Sequence, residues 1–153
     1  VADGWFWLLL VPLLGTVAWV DARTGRIPNA CNAAIAALGL FAALEIGTSL
    51  ATERLIDALV VGLVLLLLRA AYRLWRGRVG LGLGDVKFLA AATLWTGLGA
   101  LPLVLLLACL SALGMVAVLK LAGHQVSGGM RLRFGPHLAG ALGLVLLIDR
   151  LIA

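Results

Sequence analysis

Polar residues are scarce along this chain, and most of them fall at the ends of long apolar runs. Six such runs stand out: Trp5–Val20, Asn29–Ile46, Leu55–Tyr72, Val86–Leu98, Leu101–Lys120 and His137–Leu151. A helix needs about 20 residues to cross a bilayer, with a range of about 17–25. The first, fourth and sixth runs are short by that measure. From Val86 to Leu119 the apolar character hardly breaks. As one helix this stretch would be about 51 Å long, too long for a single crossing. Gly97, Gly99 and Pro102 interrupt it, so the pattern predicts a tight helical hairpin there. The expected fold is all-α: a polytopic membrane protein with six transmembrane helices, forming one domain over residues 1–153. Trp5–Val20 has no basic flank before it and no small-residue cleavage site after it. It is therefore expected to be a membrane span and not a secretory signal peptide.

Composition supports the same reading. Hydrophobic residues make up 63% and charged residues 12%, against about half and a quarter in soluble domains. A small globule leaves a large share of its surface exposed and could not hide that much apolar area. The 12 Lys and Arg against 7 Asp and Glu give a net charge of +5, which taken alone resembles a nucleic-acid binder. Topology explains the excess better. If the segments alternate in direction, ten basic residues share one side: Arg23, Arg26, Arg69, Arg73, Arg76, Arg78, Lys87, Lys120, Arg131 and Arg133. Only Arg54 and Arg150 fall on the other side. Basic residues concentrate in cytoplasmic loops. The basic side is thus expected to be cytoplasmic, with both termini outside and no nucleic-acid partner. Trp5, Trp7, Tyr72 and Trp75 sit at segment ends, as aromatic belts do.

The acids sort differently. Asp3, Glu45, Glu53, Asp57 and Asp149 lie toward the outer side, whereas Asp21 and Asp85 lie among the basic residues. Each of these two sits at the edge of an apolar run, where an ionisable group is costly and marks a functional candidate. Taken singly, Asp21 could be a boundary residue paired with Arg23 or Arg26, and Asp85 could be the N-cap of the fourth segment. Together they could meet in a compact bundle. Two carboxylates at one site share a proton. One can then draw a proton from water while the other donates to a carbonyl oxygen, which is general acid–base amide hydrolysis. That chemistry needs no metal, cofactor or covalent nucleophile. Asp85 is the expected charged member, because a helix N-terminus and Lys87 would favour its negative charge.

Other chemistries have less support. There is no His-Glu-x-x-His zinc motif and no Gly-x-Ser-x-Gly. His124 and His137 stand alone before the sixth segment, and no Ser–His pairing is visible. Cys31 and Cys109 are isolated on different segments and read as packing residues.

Both acids come with a distinctive context. Asp21 leads into Gly25 and then Ile27-Pro28-Asn29, where Pro28 is expected at the first helical position. Asp85 closes Gly82-Leu83-Gly84-Asp85 and precedes Val86-Lys87. The glycines would let the backbone turn tightly and allow a substrate strand beside the carboxylate. Phe134-Gly135-Pro136 opens the last segment from the same side.

These three motifs resemble those of type IV prepilin peptidases. Gly82-Leu83-Gly84-Asp85-Val86-Lys87 is similar to that family's Gly-x-Gly-Asp-x-Lys, Asp21 with Ile27-Pro28-Asn29 to its first aspartate motif, and Phe134-Gly135-Pro136 to its Phe-Gly-Pro. The resemblance covers nearly the whole chain. It implies a polytopic aspartyl endopeptidase of the prokaryotic inner membrane, with Asp21 and Asp85 as the catalytic pair. Its substrates would be prepilins or pseudopilins of type IV pilus and type II secretion systems, cut on the cytoplasmic side. Larger members carry a Cys-x-x-Cys insertion and N-methylate the product. This sequence has no such insertion and no Cys-x-x-Cys; it resembles the peptidase-only forms, and nothing in it supports methyltransferase activity. The competing reading is a small transport or proton-relay subunit, although relay carboxylates are expected nearer mid-membrane. A scaffold without chemistry would make both acids ordinary boundary residues.

Overall fold

The computed structural model of this chain describes residues 4–78, 80–123 and 133–152. Asp3, His124 and Arg131 lie outside the described residues. The described chain forms five helices: α1 (Gly4–Thr24), α2 (Asn29–Ile46), α3 (Thr48–Arg76), α4 (Leu83–Leu121) and α5 (Gly135–Ile152). All five are long and apolar enough to cross a membrane.

The bundle has an apolar centre and, unlike a soluble bundle, an apolar outside as well. The side chains that meet at the centre include Leu10, Val17, Phe88, Leu89, Val104, Leu138 and Leu142. Leu59, Leu63, Leu67, Leu68 and Leu74 on α3 are well exposed, and the residues α3 buries are Ala51, Ala58 and Val61. Small residues on the inner face let the backbones approach closely, as membrane bundles require. On α3 the large apolar side chains point outward, which suits lipid as the solvent. Helix α4 lies centrally, packed against α2, α3 and α5, while α1 packs against α2 and α5.

Two turns set the ends of these helices. At Gly25 the backbone enters the left-handed region (φ 66°) directly after α1. Pro28 then holds an extended conformation (φ −62°, ψ 132°) at the N-cap of α2, one position earlier than expected. Helix α3 closes on Gly77 (φ 63°), whose N–H returns to the Arg73 carbonyl at 2.9 Å.

The fourth and fifth predicted segments fall within the single run of α4, which is broken at Gly97 (φ 70°, ψ 176°). This conformation is essentially confined to glycine. The chain reverses there. An unbroken helix would separate Asp85 from Ser111 by about 39 Å. Instead Ser111 Oγ lies 2.9 Å from His137 Nδ1, just beyond the Gly135 that bonds Asp21, and Gly84 packs on Ile27 beside the same α1–α2 junction. Both arms of α4 therefore end at the same end of the bundle. Two charges of α3 hold the break. Asp57 Oδ2 accepts the Leu98 N–H at 3.0 Å, capping the second arm, and the Arg54 guanidinium covers Gly97 so closely that a Cβ there would overlap it.

Candidate active site

Leu10, Leu14, Val17 and Asp21 are all buried, at the 4-3-4 spacing of one helix face. Asp21 thus continues the core-facing stripe of α1 as a carboxylate and is 5% exposed. A bare carboxylate at a helix C-terminus opposes the dipole, and burial without a partner would be costly. Helix α5 offsets both: the Gly135 N–H donates to Asp21 Oδ2 at 2.9 Å. Gly135 opens α5, so this donor is one that the helix itself cannot use. The approach needs glycine. A Cβ on Gly135 would lie 2.7 Å from each of Cβ, Cγ and Oδ2 of Asp21. The Phe-Gly-Pro motif is therefore a contact of the first aspartate, and Pro136 follows as the half-buried second residue of α5.

Asp85 is not the N-cap. Gly82 holds that position (φ −66°, ψ 141°), and Asp85 is the third residue of α4, half-buried. Its side chain folds back over the turn, with Oδ2 2.7 Å from where a Gly82 Cβ would stand. Gly84 meets Ile27 of the first motif, whose Cβ would be 3.2 Å from a Gly84 Cβ. Two bonds join this turn to the start of α2: Asn32 Nδ2 donates to the Gly84 carbonyl at 3.2 Å, and Lys87 Nζ donates to Asn29 Oδ1 at 2.9 Å. Asp21 and Asp85 lie within electrostatic reach of one another. Lys87 is thus engaged with Asn29, and Asp21 also has a helix N-terminus against it. The two arguments that singled out Asp85 as the charged member no longer separate the pair.

The basic rim is occupied by structure. Arg133 donates to the Ala22 carbonyl and Arg69 to the Leu81 carbonyl. Arg23 stacks 4.1 Å over the Trp19 ring and does not bond Asp21. Tyr72 covers Gly80, where a Cβ would lie 2.7 Å from its ring.

Two features escaped the sequence reading. Asn32 is buried beside the Gly-x-Gly-Asp turn, and its Oδ1 has no partner. Ser111 and His137 do pair, joining the second arm of α4 to the first turn of α5. Their separations in sequence, 52 residues from Asn32 to Gly84 and 26 from Ser111 to His137, gave no local signal.

Comparison with known proteins bears on this arrangement. The profile described as the type IV leader peptidase family matches residues 8–118. A prepilin leader peptidase/N-methyltransferase of Dickeya chrysanthemi is 39% identical over 142 residues, 91% of this chain and 50% of that protein. The protein of the same name from Neisseria gonorrhoeae is 32% identical over 140 residues, 88% of this chain and 47% of that protein. Leader peptidase HopD of Escherichia coli is 33% identical over 147 residues, covering 95% of this chain and 94% of its own length. The chain thus spans about half the length of the N-methyltransferase-named relatives and nearly all of the third. No solved structure matches it.

Proposed function

This chain belongs to the type IV leader peptidase family, and from that premise we propose that it is a membrane aspartyl endopeptidase that removes the leader of a prepilin or pseudopilin. The observation that supports the proposal is that the Asp21 and Asp85 carboxylates lie close enough to interact electrostatically, while the Gly135 amide at the start of α5 donates to Asp21. In this reading one carboxylate takes a proton from water as the oxygen attacks the scissile carbonyl carbon. The other donates its proton to the carbonyl oxygen. As the C–N bond breaks, the leaving amine takes up a proton from the pair.

The basic residues that surround both acids support a cytoplasmic site with both termini outside. The reversal at Gly97 supports six crossings, with each arm of α4 as a separate, unequal span. A proton relay across the membrane would call for carboxylates along its depth, whereas Asp21 and Asp85 sit together at one end of the bundle.

The test is co-expression with a candidate prepilin, read as leader loss on a gel. Cleavage by the unaltered chain, and none by Asp21→Asn or Asp85→Asn, is expected. Cleavage persisting in either variant would refute the pair.

A further inference from the structure

A cavity opens at the end of the bundle opposite the carboxylate pair. Its lining includes Trp7, Ile46, Leu50, Arg54, Trp95 and Asp149. Trp7 stands 14 residues before Asp21 on α1, and Asp149 stands 14 after Gly135 on α5. Each is about 21 Å along its helix from the carboxylate pair. The cavity holds about 300 Å³, within the range of small-molecule sites.

Its polar groups are few and of both signs. Arg54 is half-buried over Gly97, yet among the described residues its guanidinium has no hydrogen-bond or ion-pair partner. Asp57, one turn along α3, is committed to the Leu98 amide. Asp149 is exposed on the α5 side of the cavity and does not pair with Arg54. Trp95 spends its indole N–H on the Ile35 carbonyl at 2.9 Å and offers the cavity only its ring. Recognition therefore rests on one cation and one anion set apart, between aromatic and aliphatic walls. Ile46, 58% exposed, leaves the rim open toward the lipid.

We propose that this cavity binds a phospholipid with a zwitterionic ethanolamine headgroup. Arginine matches a phosphate with two parallel N–H donors, so Arg54 takes the phosphate. Asp149 takes the primary ammonium, and the acyl chains leave over Ile46 and Leu50. Tryptophan rings at membrane-interface depth line such a headgroup well. Phosphatidylglycerol has no cation for Asp149, and the methylated ammonium of phosphatidylcholine has no N–H to donate to it.

The test uses the full chain in nanodiscs holding equal parts of the ethanolamine, glycerol and choline lipids, with retained lipid read by native mass spectrometry. The ethanolamine lipid should be retained about tenfold over each of the others, as expected for one charge-assisted hydrogen bond. Asp149→Asn should abolish that preference, and Arg54→Gln should abolish retention of all three. Equal retention by the unaltered protein, or a preference that survives Asp149→Asn, overturns the proposal. Asp149 is exposed at a helix end, so its variant decides the matter even if Arg54→Gln disturbs folding at Gly97. Soluble phosphoethanolamine at millimolar concentration should not displace the lipid. Full displacement would assign the cavity to a free small zwitterion and overturn the lipid.

Discussion

Gly135→Ala is the sharpest perturbation the site offers. The added methyl would stand 2.7 Å from three atoms of Asp21, whereas carbon atoms pack at about 3.5–4.0 Å. Asp21 and Gly135 are both buried, so neither can swing into open space. Relief requires the carboxylate and the α5 N-terminus to part by about 1 Å, which stretches the 2.9 Å hydrogen bond past useful length. Overpacking of this kind costs about 1–3 kcal/mol of stability. A 1 Å misplacement of a reacting group costs about 10²-fold in rate. The expected result is a drop of about 100-fold in leader cleavage by purified protein, with a folded, modestly less stable bundle by thermal melt. Gly140→Ala on the same helix is the control, since nothing lies within 4 Å of its Cβ, and it should cleave normally. Cleavage by Gly135→Ala within about threefold of the unaltered chain would refute the reasoning, because it would mean that Asp21 can be displaced without loss.

Three further outcomes follow from the same structure. Asn32→Leu gives up the bond to Gly84 but also removes the buried, unpartnered Oδ1. These effects, each about 1 kcal/mol, nearly cancel in the melting temperature, while cleavage falls about tenfold as the turn carrying Asp85 loosens. Gly97→Ala forces a side chain into a glycine-only conformation under Arg54; at about 1–3 kcal/mol it should lower the melting temperature by about 2–12 °C. Single cysteines placed at Arg78 and Lys120, in a background lacking Cys31 and Cys109, should be labelled by an impermeant maleimide only from the cytoplasmic side, and one at Thr48 only from the other.

Much of this architecture was legible in the sequence because charge is so scarce. Asp21 and Asp85 stood out as acids among basic residues, and the structure brings them within reach of each other. The interruption at Gly97 was legible because an apolar run longer than a bilayer must break, and glycine marks the place. Helix ends were less legible: Pro28 caps α2 from one position earlier than expected, and Asp85 lies inside its helix, because a glycine N-cap leaves no side-chain signature. What remained hidden depends on how helices pack. Proximity in sequence leaves open a pairing of Asp21 with Arg23 or Arg26, but Arg23 stacks on the Trp19 ring one turn back. Lys87 was expected to support Asp85, yet residues two apart on a helix do not face each other, and Asn29 holds it instead. The partner of Asp21 is a backbone amide 114 residues away, a contact that no local pattern encodes.

The central claim is that Asp21 and Asp85 work as one unit. The direct measurement is the leader-cleavage rate of Asp21→Asn, Asp85→Asn and the double variant, each purified and compared on one prepilin. Groups that act together are strongly non-additive, so each single variant should lose about 10³-fold or more and the double should be no slower than the singles. A single variant that still cleaves, or losses that multiply in the double, would contradict it.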